Sequence, residues 1–144
     1  MDTQTLNKLK ENTIETMKQN FKKDGKLYPV VMVIDDKEQM HYIGTPYTNH
    51  EEKKQMMTFV KDYVKDKKAI AIFIINEAWV RKIKVEDHQK VMEEMKKSGK
   101  RISDYDDKQE VAILVFETKT SSTIFQFEID RQKNELGKVI SSPM

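Results

Sequence analysis

Apolar residues in this chain are gathered into dense runs separated by charged stretches, and the spacing inside each run sets the element expected there. Leu6, Leu9, Thr13, Met17 and Phe21 recur at steps of three and four, with Ile14 beside them, which predicts an amphipathic helix capped by Asp2 or Thr3 and broken at Asp24-Gly25. Residues 28–34 then read as a strand with Pro29 at its start, where a missing N–H donor is tolerated. Turn residues at 35–38 lead into a shorter, more polar strand over 39–44, so the pair should form an antiparallel hairpin with the second strand at the sheet edge. Thr48-Asn49-His50-Glu51 has the spelling of a capping box, and Met56, Phe59, Val60, Tyr63 and Val64 give the helix behind it an apolar stripe. The lysines at 65, 67 and 68 fall at that helix's carbonyl-rich end, where positive charge is favourable.

Two later runs, 69–75 and 111–116, are continuously apolar and too short for buried helices, which predicts strands covered on both faces at the sheet centre. Between them Asp87 can cap a third helix to about Ser98, with Gly99 as a left-handed stop and only Val91, Met92 and Met95 as a thin apolar stripe. Residues 103–107 form an acidic loop, and 119–122 the turn into a strand over 123–129. There Phe125, Phe127 and Ile129 alternate with Gln126, Glu128 and Asp130, the signature of a half-buried strand. A last short strand near Val139 and Ile140 is allowed, with 141–144 expected to fray. The expectation is therefore one α+β domain over 1–144: a mostly antiparallel sheet of five to six strands with two or three packed helices, in the order α-β-β-α-β-α-β-β with a possible final β. That order resembles the profilin-like and roadblock-like arrangement α-β-β-α-β-β-β with a third helix inserted, a resemblance of element order alone.

Composition narrows the classes of function. Charged residues make up 35% of the 144, yet 26 basic and 24 acidic side chains leave a net charge of only +2, so a basic surface would have to come from local clustering. Only Arg81, Arg101 and Arg131 offer the guanidinium fork favoured for base and phosphate recognition, and the lysines read as solubilising surface, which argues against nucleic acid. The absence of cysteine excludes disulfides, thiolate zinc sites and cysteine nucleophiles. No apolar run approaches the ~20 residues of a membrane span and the first residues do not spell a secretory leader, so a cytoplasmic location and no membrane partner are expected.

Candidate chemistry is sparse. Glu77-Ala78-Trp79 directly follows the most apolar run and contains the single tryptophan, so Glu77 and Trp79 are either an anchor at a strand end or a carboxylate and ring at the lip of a pocket. Glu117-Thr118-Lys119 has the E-x-K spelling of a nuclease metal site, with Asp104, Asp106 and Asp107 upstream. A strand rather than a helix follows it, so a cross-strand ion pair is the ordinary explanation. No two of His41, His50 and His88 have the spacing of a helical zinc pair, and no P-loop, nucleophile elbow or dinucleotide fingerprint occurs, so no metal and no cofactor are expected. Met56, Met57, Met92 and Met95 are either core filler or a pliable protein-binding surface.

Asp24-Gly25 followed by Pro29 and a strand, the apolar strand ending in Glu77-Ala78-Trp79, and Glu110-Val111 opening a strand that ends at Glu117 together resemble a family of small bacterial and prophage-type proteins. The resemblance covers about Phe21 to Asp130 and brings no established activity or catalytic residues; it implies an origin on a mobile element. The function expected is a small non-enzymatic binding or regulatory protein acting by protein–protein contact, with a protein partner or as a homodimer, and with Trp79, Glu77, Met92 and Met95 as binding candidates. The alternatives are a metal-dependent hydrolase or nuclease using Glu77, Glu110, Glu117 and Lys119, and lysine-mediated nucleic-acid binding.

Overall fold

The computed structural model describes residues 1–143. Its elements follow the order α1 (Thr3–Asp24), β1 (Val30–Ile34), β2 (Met40–Gly44), α2 (His50–Asp66), β3 (Ala71–Val80), α3 (His88–Ser98), β4 (Gln109–Thr118), β5 (Ser122–Asp130) and β6 (Glu135–Pro143). The six strands form one antiparallel sheet in the order β2-β1-β3-β4-β5-β6. This is the α+β architecture the periodicity predicts, with the two continuous apolar runs in the central strands β3 and β4.

The two long helices lie on opposite faces. Side chains of α1, chiefly Met17 and Phe21, close over a core of Met32, Phe73, Leu114 and Phe127. Val60 of α2, with Tyr63 and Val64, covers Val31, Val33 and Ile43 on the other face. Every residue of β1 from Val31 to Ile34 is consequently buried, as a strand covered on both sides requires. The far end of α1 is fixed by chemistry the sequence supplies locally. Gly25 takes the left-handed conformation (φ 70°) that lets its N–H bond back to the Phe21 carbonyl, and a Cβ at this position would come within 3.1 Å of Asn134. Asn134 in turn donates to the Phe21 and Lys22 carbonyls left open at the helix end.

Four expectations are corrected. The cap of α2 is Asn49, which accepts from the Glu52 N–H, while the Glu52 carboxylate reaches back to the Thr48 N–H and hydroxyl. The cap thus sits one residue later than the Thr48–Glu51 spelling, because the asparagine oxygen reaches the third amide of the first turn, and Glu52 returns its bond to Thr48 and not to the cap residue itself. β3 does not stop at Ile75 but runs through Glu77, Ala78 and Trp79 to Val80, held by a ten-residue register with β4 that ends at Val80 opposite Gln109. β6 spans nine residues where a short strand was expected. Ser141, Ser142 and Pro143 are paired with Phe125, Ile124 and Thr123 instead of fraying, and Met144 lies outside the described residues.

No helix among the described residues is long and apolar enough to cross a membrane. Helix α3 buries no residue fully. It is held beside the sheet by Tyr105, whose ring is buried and whose hydroxyl meets Glu94 and Ser98 at 3.3 Å, with the Arg81 guanidinium stacked 3.8 Å from the ring centre.

Candidate functional site

Register settles which face each candidate side chain shares. Glu77 lies opposite Ala112 and Trp79 opposite Glu110, all on the face that α1 covers, just beyond the end of that helix. The Glu77 carboxylate accepts a 2.6 Å hydrogen bond from the Leu27 backbone N–H. Beside it, Arg131 donates from Nε and Nη2 to the two Glu110 oxygens at 2.6 Å each and from Nη1 to the Gly25 carbonyl. The Glu110 carboxylate, with Glu77 contributing, raises the Arg131 guanidinium further above its already high pKa. Two carboxylates and one guanidinium therefore pin the 25–27 segment to β3, β4 and the end of β5. Their chemistry is positional: each oxygen named is engaged by a donor of the chain itself. Trp79 stands at this end with 42% of its surface exposed and the Lys108 ammonium 5.4 Å from its ring, so it is not sealed in the core.

The E-x-K residues lie elsewhere. Glu117 is seven residues from Glu110 along β4, roughly 23 Å at the usual strand rise, and the odd spacing puts it on the opposite face. Lys119 is an exposed residue of the β4–β5 turn. The upstream aspartates remain at the Gln109 end, where Asp107 forms a two-pronged pair with Arg81 at 2.7 and 3.1 Å and Asp104 accepts from the Arg101 N–H. That pairing holds the Asp107 carboxyl below the usual carboxylate range. Glu77 and Glu110 are brought together; Glu117, Lys119 and the 104–107 loop are not. Among the described residues no group of three histidine, cysteine, aspartate or glutamate side chains could hold a metal ion.

One constellation escaped sequence reasoning. Asp35 is buried, accepts from the Lys37 and Gln39 N–H groups at 2.9 Å, and meets His41 Nε2 at 2.8 Å; His41 Nδ1 meets the Tyr63 hydroxyl at 2.7 Å. The His41 bond, followed by those from the backbone, lowers the Asp35 pKa. The aspartate at a turn start was visible as a turn residue, but Tyr63 reaches His41 only after α2 docks on the sheet, and no spacing in the sequence announces that contact. This chain of bonds ties the β1–β2 hairpin to α2.

The second face of the sheet is covered unevenly. By register Ile74, Val115, Ile124 and Ser142 form one row across it, and Asn76, Ile113, Gln126 and Ile140 the next. Ile113, Val115 and Ile124 join neither core cluster, and Ile140 is 50% exposed at the β6 edge. Met92, 56% exposed, and the half-buried Met95 sit on α3. No known protein family, curated protein or solved structure matches the chain, so these residues carry the functional argument by themselves.

Proposed function

We propose that this is a non-catalytic binding protein that acts through protein–protein contact, and that its first partner is a second copy of itself joined along β6. The observation that carries this reading is the outer edge of β6, a nine-residue strand that ends the sheet and, among the described residues, pairs only with β5. The register with β5 shifts between Leu136 and Val139, and beyond that bulge the regular stretch Val139–Pro143 presents unpaired backbone donors and acceptors, a template for another strand. Its centre, Val139-Ile140-Ser141-Ser142, bears no charge. An antiparallel two-fold pairing about Ile140 sets Val139 opposite Ser141, so no like charges meet within the regular stretch, and it continues the Ile113 row into the partner's sheet. Val139 and Ile140, 46% and 50% exposed, then gain cover. The scattered carboxylates and the absence of a familiar catalytic motif favour binding over hydrolysis.

Analytical ultracentrifugation tests the proposal. The wild-type chain should sediment as a dimer at micromolar concentration and Ile140→Lys as a folded monomer, since a charge at the centre of the pairing opposes its own symmetry mate. A wild-type monomer at every concentration would reject it.

A further inference from the structure

We propose that the cavity between α1 and the β1–β2 side of the sheet is a binding site for a small, uncharged aromatic molecule with a hydrogen-bonding edge. The cavity measures about 400 Å³, within the range of small-ligand sites. It exists because α1 leans toward β6, where Asn134 and Glu135 hold its last turn, and so leaves the opposite side of its sheet face open.

The walls differ in a way that selects a ligand. On the sheet side and beneath α1 lie Met17, Met32, Met40, Val30 and Ile75, three of them methionines whose sulfurs favour aromatic contacts and whose flexible stems adapt to shape. On the helix side Asn12, Thr16 and Asn20 stand in an i, i+4, i+8 file. This stripe is uncharged on a helix that elsewhere carries eight lysine, glutamate and aspartate side chains between Lys8 and Asp24. Among the described residues these three side chains make no hydrogen bond with the rest of the chain, which leaves amide and hydroxyl groups free to meet the edge of a ligand. Tyr28 and Tyr42 also line the cavity and expose 64% and 71% of their surface; the Lys26 ammonium lies over one face of Tyr28, 5.0 Å from its centre, so Tyr42 offers the open ring at the mouth. The only charged lining residues, Asp24 and Lys26, are of opposite sign and offset each other, which favours a neutral occupant. Leu27 belongs to the same lining, so the Glu77 carboxylate that holds its N–H acts as a positioning residue for the cavity wall.

The test is a fluorescence titration with N-phenyl-1-naphthylamine, a neutral aromatic amine whose emission rises in apolar surroundings. Saturable binding at one site per chain is expected, displaced by 2-naphthamide in preference to 1-decanol. Thr16→Trp, which fills the cavity from the helix side, should abolish binding. Tyr42→Ala, at a position 71% exposed, should weaken it by about tenfold through loss of one stacking contact. Lys97→Ala on α3 should leave it unchanged. Non-saturable emission, wild-type affinity in both Thr16→Trp and Tyr42→Ala, or displacement by decanol as effective as by naphthamide would overturn the proposal.

Discussion

The backbone N–H of Leu27 donates to the Glu77 carboxylate across 2.6 Å, joining the segment that leaves α1 to the middle of β3. A glutamate in a strand next to the only tryptophan suggests chemistry on paper; in the fold it substitutes for a strand partner that the 25–29 segment lacks. Glu77→Ala should therefore cost about 1–3 kcal/mol of stability by leaving a part-buried amide unsatisfied, while Glu77→Gln, which retains an acceptor, should cost less than half of that. Chemical denaturation of the three proteins measures both.

The second clasp on the same segment is ionic. Arg131 bridges Glu110 and the Gly25 carbonyl over the Phe21 ring, whose centre is 5.3 Å away. Because nearly half of the Arg131 side chain is exposed, Arg131→Ala should cost only about 1 kcal/mol despite the three groups it engages. The same denaturation series at high salt should narrow the difference from wild type, since exposed ion pairs are screened.

Asp35 makes stability depend on acid. Its folded pKa lies below its ordinary value of 3.8, chiefly because of the His41 bond. A lowered carboxylate pKa contributes stability that is present above the unfolded value and is lost as pH falls through the folded one. Melting temperature should accordingly decline below about pH 4, and Asp35→Asn should lower it at neutral pH while flattening that acid limb. An acid limb as steep in Asp35→Asn as in wild type would assign it to other carboxylates.

Magnesium, manganese and zinc should leave the melting temperature unchanged. A metal that binds only the folded state raises stability, yet Glu110 and Glu117 lie on opposite faces near opposite ends of β4 and Asp107 is committed to Arg81. A shift of several degrees with any of these ions would contradict that arrangement.

Periodicity made most of the fold legible. The continuous runs at 69–75 and 111–116 announced β3 and β4 because strands buried on both faces have no polar alternation to interrupt them. The same run length misled at its end: Glu77 and Trp79 look like an exit from the strand, but ten cross-strand pairs with β4 outweigh the polar residues and extend β3 to Val80. β6 was nearly invisible since a solvent-facing edge strand needs little apolar patterning, and Leu136 is its one buried residue. The Asp35–His41–Tyr63 chain and the cavity under α1 could not be read at all, because both depend on how a helix is docked and not on what it contains.

Self-pairing of β6 can be seen strand by strand in residue-resolved amide hydrogen exchange. Between Val139 and Ser142 the amides that do not face β5 should gain protection as protein concentration rises and lose it in Ile140→Lys, while amides of β3 and β4 remain protected in both. Fast exchange of those β6 amides at every concentration, identical in wild type and variant, would rule out self-pairing.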